Sequence, residues 1–169
     1  AVQCGFCTPG AILSSKALGL NGNPGANGTV NIGLIGLGGR CRQVAETCSH
    51  IPEIRIAAIC DVFKPRIDKF MDLQPIGQHW MGYTDFRRMI ERENLDGVMV
   101  ITTTHARAWV TCLAMDAGMD VYIEKPMCLT IPEGRQMVNM ARRCNRVTQV
   151  GTQQRYMPLN NWASDLVKN

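Results

Sequence analysis

An apolar strand that runs into a glycine turn, a helix, and a second strand ending on an acid leaves a chain few folds to choose from. Val30-Asn-Ile-Gly-Leu-Ile35 leads into Gly36-Leu-Gly38-Gly39-Arg40-Cys41, and the next apolar run, Ile54 to Cys60, stops at Asp61. Strand, helix and strand in this order make a parallel pair joined by a crossover helix. The same unit suits a dinucleotide. Gly36 allows the tight turn, and Gly38 lets backbone come close to a pyrophosphate. The N-terminus of the helix that follows offers N–H groups and a positive dipole end to the phosphates. Asp61 follows at roughly the 20-residue spacing at which an acid accepts hydrogen bonds from an adenosine ribose. Its competing role, an N-cap on the next helix, is disfavoured by the Val62-Phe63-Lys64 spacer before Pro65. The third glycine of G-x-G-x-x-G is Cys41, whose small side chain still permits close helix–strand packing.

Beyond this unit, strands and helices keep alternating. Strands are expected at Val30–Ile35, Ile54–Cys60, Gly97–Ile101, Asp120–Ile123 and Val147–Val150, with a weak one near Met81–Tyr83. Helices are expected at Arg42–Ser49, Pro65–Leu73, Phe86–Arg92, Ala106–Ala117 and Ile131–Cys144. The last opens on a capping box, Thr130 with Glu133, and repeats Met137, Val138, Ala141 and Cys144 at helical spacing. Near-continuous apolar strands such as Gly97-Val-Met-Val-Ile101 indicate a parallel sheet covered on both faces. The fold class is therefore α/β, a doubly wound parallel sheet of the Rossmann type, with a short N-terminal helical extension. Residues 1–28 form that extension, with a short helix at Ala11–Leu18 and a linker, Asn21-Gly-Asn-Pro-Gly-Ala-Asn-Gly28, dense in turn residues. Residues 29–151 make the dinucleotide-binding domain. Residues 152–169, with an amphipathic stretch from Leu159 to Val167, are expected to open a further, truncated domain, and the sheet edge and apolar helix face so exposed favour self-association, a homo-oligomer included.

Composition narrows the function classes. With 169 residues, 46% hydrophobic and 19% charged, the chain can bury a core. The net charge of +4 is spread out, and Arg87-Arg88 and Arg142-Arg143 fall in helical patterns. Nucleic acid is thus not an expected partner. No apolar run has membrane-spanning length and no signal peptide is visible, so no membrane partner is expected either. Of the eight cysteines, Cys41, Cys48, Cys60, Cys112, Cys128 and Cys144 are scattered as small buried hydrophobes would be. A reducing compartment, hence a cytoplasmic location, and no metal site are expected of them.

From Val30 onward the chain resembles the Gfo/Idh/MocA family of glucose-fructose oxidoreductases and inositol dehydrogenases. The resemblance rests on Gly36-Leu-Gly38-Gly39-Arg40, Cys60-Asp61, Tyr83-x-Asp85-Phe86, Ile101-Thr-Thr-Thr-His105, Glu124-Lys125-Pro126 and Val150-Gly-Thr-Gln-Gln-Arg155. Thr103-Thr104 departs from the Pro followed by Asp or Asn frequent there. The resemblance implies a six-stranded Rossmann domain followed by an α/β substrate domain that this chain does not contain. It also implies hydride transfer between a nicotinamide cofactor and a sugar, polyol or related carbinol. Residues 1–18, with Cys4-Gly-Phe-Cys7-Thr-Pro-Gly10, resemble instead the second [2Fe–2S] motif of molybdenum hydroxylase iron–sulfur subunits. Such a centre needs four cysteine ligands. The Cys-Arg-Cys pair that would complete it is broken, since Cys41-Arg42 is followed by Gln43.

The candidate catalytic residues are Lys125 and His105, both just after a strand at the carboxyl edge where open α/β sheets bind ligands. Lys125 could polarise a carbonyl or hold a substrate hydroxyl; its bland alternative is a surface lysine at a strand end. His105 is equally readable as a structural hydrogen-bonder. Cofactor contacts are expected from Gly36, Gly38, Gly39, Arg40 (on phosphate), Asp61, Thr102, Thr103, Glu124 and Pro126. A cis bond before Pro126 is the minority outcome, about 5–6% of X–Pro bonds. NAD is preferred over NADP because Asp61 would repel a 2′-phosphate, although Lys64 or Arg66 could meet one. The expected function is the nucleotide-binding portion of an NAD-dependent oxidoreductase. The alternatives are a [2Fe–2S] electron-transfer fragment using Cys4 and Cys7, and a nucleotide-binding domain without turnover.

Overall fold

The computed structural model describes residues 28–75 and 79–168. Strands β1 (Val30–Ile35), β2 (Ile54–Cys60), β3 (Met81–Tyr83), β4 (Gly97–Val100), β5 (Asp120–Glu124) and β6 (Thr148–Gly151) form one sheet in the order β3-β2-β1-β4-β5-β6. Every neighbouring pair is parallel. Helices α1 (Gly39–Ser49), α2 (Lys64–Met71), α3 (Phe86–Arg92), α4 (Thr104–Asp116) and α5 (Ile131–Arg143) connect them, and α6 (Pro158–Lys168) follows β6 after a 3₁₀ turn at Gln153–Tyr156. The strand order reverses at β1, which lies between β2 and β4. A crevice therefore opens at its carboxyl end, where the chain leaves toward opposite faces of the sheet.

Alternation along each strand feeds two apolar layers. Val30, Ile32, Leu34 and Met99 turn toward Cys41, Val44 and Cys48 of α1 and Ile67 and Phe70 of α2. Ile35, Val98, Val100, Val121 and Ile123 turn the other way, onto Met89 of α3, Ala114 and Met115 of α4, and Met137 and Met140 of α5. Both faces are covered, which is why the strands read as unbroken apolar runs; each buried Ile, Leu or Val contributes about 1.5–3 kcal/mol. Cys41 is fully buried between α1 and the sheet, the place where a third glycine would have stood. At α5 the expected capping box is present: Glu133 N–H donates to Thr130 Oγ1 at 3.4 Å and Thr130 N–H donates to Glu133 Oε2 at 3.1 Å. Loss of the threonine oxygen would cost about 1 kcal/mol.

The element ends differ from the sequence expectations in ways that matter for the site. Helix α1 starts at Gly39 rather than Arg42, because Gly38 sits extended at the N-cap (φ −78°, ψ −178°) and the helix turns at once. Helix α4 starts at Thr104 rather than Ala106: Thr103 takes the N-cap position, and Ala106 N–H returns to Thr103 O at 3.2 Å. His105 thus belongs to the first helical turn, not to a loop. Strand β4 ends at Val100, while β5 continues through Glu124 and β6 through Gly151, because Glu124 and Gly151 stand opposite each other in the ladder. The weakly expected strand at Met81–Tyr83 pairs with β2. Helix α6 buries none of its residues. Among the described residues, no helix is long and apolar enough to cross a membrane. The Ala11–Leu18 helix, Cys4 and Cys7 lie outside the described residues.

Candidate dinucleotide site

A cleft of about 810 Å³ opens over the carboxyl ends of β1, β2 and β4. Gly36, Gly38, Asp61, Thr102, Thr103 and His105 all line it, together with Val62, Arg66, Arg87, Arg107 and Trp109. The two turn glycines serve different needs. Gly36 has φ +92°, and a Cβ there would lie 2.7 Å from Thr102 N and 2.8 Å from Ile101 C. The turn therefore presses against the end of β4 and admits no side chain. Gly38 is the opposite case: its backbone is extended, and a Cβ would meet nothing within 4 Å. Space above a turn, bounded by backbone that could carry a side chain and does not, fits a pyrophosphate. The first bond of α1 runs from Arg42 N–H to Gly38 O at 3.2 Å, so the N–H groups of the opening turn face outward at the helix's positive end.

Asp61 closes the turn from the side of β2. Leu37 N–H donates to its Oδ2 at 2.8 Å and Phe63 N–H to its Oδ1 at 2.9 Å. The acid is thus buried and oriented by the glycine turn itself, and the N-cap of α2 is Phe63, not Asp61. A carboxylate keeps further acceptor capacity on each oxygen after one such bond. Along the rim, Trp109 is 54% exposed, with the Arg87 guanidinium 5.9 Å from its ring centroid and Phe86 edge-on at 5.1 Å.

Arg40 and Glu124 are paired with each other. Arg40, expected on phosphate, is committed to protein: its Nε donates to Glu124 Oε1 at 2.7 Å and its Nη1 to Gln43 Oε1 at 3.1 Å. Glu124, expected on the cofactor, is 2% exposed and lies beneath the turn that follows β5. There it also accepts from Tyr122 Oη at 3.1 Å and from Lys125 N–H at 3.0 Å. A buried carboxylate demands a cation and hydrogen bonds, and Arg40 is the cation within reach. Burial pulls the Arg40 pKa down, but the bond and charge of Glu124 outweigh it and leave it raised. Burial, then the Glu124 charge, pushes the Tyr122 hydroxyl up to about 12.

Lys125 and Pro126 are exposed in the turn after β5, outside the residues that line the cleft, and the peptide between them is cis. What ties them to the cleft is Arg107, a residue the sequence reading missed. Its Nε donates to Thr102 O at 2.9 Å and its Nη1 donates to Pro126 O. It is buried, and burial lowers its pKa. One guanidinium thus spans the turn after β4 and the turn after β5. A signal existed: Arg107 stands on the buried stripe of α4 with Val110, Thr111 and Ala114, where a cation needs a reason. Thr103 Oγ1 and His105 Nδ1 are 3.2 Å apart, which holds the exposed imidazole at the mouth. Among the described residues, no group of three or more His, Cys, Asp or Glu is arranged to hold a metal. The six described cysteines are free; burial drives the Cys41 thiol far up and the Cys48 and Cys60 thiols to about 12.

Similarity to known proteins points the same way. A glycosyl hydrolase family 109 protein of Porphyromonas gingivalis is 32% identical over 124 residues, which cover 70% of this chain and 26% of that protein. The myo-inositol 2-dehydrogenase of Lactobacillus plantarum superposes with a TM-score of 0.74 at 26% identity, over 83% of this chain and 41% of that one. The WlbA dehydrogenase of Bordetella pertussis, solved with NADH and UDP-GlcNAcA, superposes with a TM-score of 0.76 at 18% identity, over 83% and 42%. The chain thus spans less than half the length of each of these proteins. The family match begins at residue 30 and lends nothing to the iron–sulfur resemblance of residues 1–18. Residues 30–152 match the model of an oxidoreductase family with an NAD-binding Rossmann fold, and the chain belongs to that family, Gfo/Idh/MocA.

Proposed function

We propose that the chain is the nucleotide-binding half of an oxidoreductase that moves a hydride between NAD and a carbinol carbon of a sugar or cyclic polyol. One observation carries this: the glycine turn and Asp61 are built as a unit through Leu37 N–H, with open space above Gly38 and Gly39. NAD, when bound, supplies the hydride chemistry. The residues here hold it: Gly36, Gly38 and Gly39 admit the pyrophosphate, Asp61 takes ribose hydroxyls, and Thr102 and Thr103 border the path toward the β5 turn. Arg40 and Glu124 act beneath them, fixing the backbone N–H of Lys125. Lys125 is the group that binds or deprotonates a substrate hydroxyl, with His105 as a second proton-carrying group on the same edge. The names of the relatives, for glycosyl hydrolysis and inositol oxidation, share a carbohydrate or cyclic polyol, and this sets the substrate class.

The complementary wall of the substrate site belongs to a second domain that starts near residue 152. We therefore expect the chain by itself to bind NADH and not to turn over inositols or hexoses. Titration of NADH fluorescence, alongside a turnover assay on such polyols, tests both halves of the reading. Absence of saturable binding would refute the cofactor role. Turnover that vanished in Lys125→Ala would refute the need for a second domain. Binding without turnover in a longer protein with that domain would favour a non-catalytic nucleotide-binding role. The free cysteines support a reducing compartment such as the cytoplasm. The unburied α6 and the open edges at β3 and β6 support self-association.

A further inference from the structure

The turn that carries Lys125 is pinned by side chains. Among the described residues, no backbone–backbone hydrogen bond fixes the stretch from Lys125 to Leu129, between β5 and α5. Three side-chain bonds do so instead. Lys125 N–H donates to Glu124 Oε2 at 3.0 Å, Leu129 N–H donates to Glu133 Oε2 at 2.7 Å, and Pro126 O accepts from Arg107 Nη1. Of these three side chains only Arg107 also lines the dinucleotide cleft, and Lys125 itself does not. The other hand of the guanidinium, Nε, lies 2.9 Å from the carbonyl oxygen of Thr102, a residue of the cleft wall. Arg107 is 8% exposed, so water competes little for either bond. A guanidinium is planar and rigid, and its donors keep fixed directions, so it ties two carbonyls together as a strut does.

We propose that Arg107 is a positioning residue for Lys125, one that passes the filling of the cleft on to the lysine turn. A dinucleotide seated against Thr102 and Thr103 restrains the Thr102 carbonyl, and the guanidinium carries that restraint to the Pro126 carbonyl. Lys125 and Pro126 are then fixed at both ends, by Glu124 on the N–H of the first and by Arg107 on the carbonyl of the second. A lysine in the place of Arg107 would keep the charge but gather its donors on one rotating nitrogen, without the span of the guanidinium. The inference rests on the dinucleotide reading of the cleft and on Lys125 as the group that meets substrate.

The test is NADH titration of the full, isotope-labelled chain by NMR, with the backbone amide signals of Gly38 and Lys125 followed together. In the wild type both signals should move and saturate at the same NADH concentration. In Arg107→Met and Arg107→Lys, Gly38 should still report binding within about threefold of wild type, while the Lys125 response should shrink by about threefold or more. Glu133→Ala frees the far end of the same turn and should keep the Lys125 response. A Lys125 signal that stays still while Gly38 moves would overturn the inference and leave the cofactor site intact. An undiminished response in both Arg107 variants would overturn it too, since Lys125 would then meet the cofactor directly. So would an equal loss in Glu133→Ala, because any loosening of the turn would then suffice. If Arg107→Met does not fold, Arg107→Lys, which retains the buried charge, decides the matter. Absence of saturable NADH binding in the wild type would refute the dinucleotide reading and the inference with it.

Discussion

Replacing Gly38 by valine separates folding from cofactor binding. The backbone there, φ −78° and ψ −178°, is extended and suits a β-branched residue. A Cβ meets no atom within 4 Å, so no packing is disturbed. Stability should therefore move by no more than about 0.5 kcal/mol. The valine methyls would instead fill the space through which a pyrophosphate reaches the N–H groups at the start of α1. Two charge-assisted hydrogen bonds lost at about 1.5–3 kcal/mol each give about 3–6 kcal/mol, a weakening of about a hundredfold or more. Gly36→Ala provides the contrast. A left-handed φ and a Cβ 2.7 Å from Thr102 N should together cost about 2–5 kcal/mol of stability. Thermal melts and NADH titrations of the two variants check both numbers. A Gly38→Val protein that melts like wild type and binds NADH equally well would remove the pyrophosphate from this turn. One that unfolds would show that the open space is an illusion of the surrounding packing.

Arg107→Met should lower stability by about 1–3 kcal/mol by stranding the carbonyls of Thr102 and Pro126, and should loosen the β5 turn; faster amide exchange at Lys125 checks the second effect, and unchanged exchange would refute the clasp. Arg40→Met leaves Glu124 with Tyr122 and a backbone N–H but no hydrogen-bonded cation, and should cost about 2–4 kcal/mol in denaturant titration, with Arg40→Met/Glu124→Gln recovering part of it. The thiols of Cys48 and Cys60 are raised from 9.0 to about 12 by burial, so the folded state holds protons that the unfolded chain gives up. Their contribution is intact below pH 9 and declines as pH rises from there toward 12; a melting temperature that held steady or rose across that window would contradict it. In native-state alkylation these two buried thiols and that of Cys41 should lag behind the half-exposed Cys128 and Cys144.

What could be read from the chain alone was whatever depended on neighbours in sequence. The apolar runs announced the strands, and Gly36 with Asp61 announced the crevice, because a turn glycine and a strand-end acid are local devices. The Thr130–Glu133 box was visible for the same reason. The Arg40–Glu124 pair was not legible because its partners stand 84 positions apart, on a turn and a strand that only the sheet order brings together. Arg107 was overlooked because both its partners are carbonyl oxygens, which every residue has and no sequence pattern marks. The start of α4 was misplaced because Thr103 caps through its backbone alone, with no side-chain bond, so the stretch from Thr102 to His105 read as a turn.

Trp109 gives the chain an optical reporter at the mouth of its own cleft. Of the three tryptophans, Trp80 is sealed in the core against Phe70, and Trp162 lies on α6, whereas Trp109 stands half in solvent with Arg87 over its face. Indole emission overlaps the absorption band of the reduced nicotinamide, so excitation of Trp109 will pass energy to a bound NADH, and Trp109→Phe will remove its share of that transfer. The same indole distinguishes two kinds of event. Polarity changes at the rim shift its emission, while loss of the core shifts that of Trp80. Occupancy and unfolding can thus be followed in one sample without any added label.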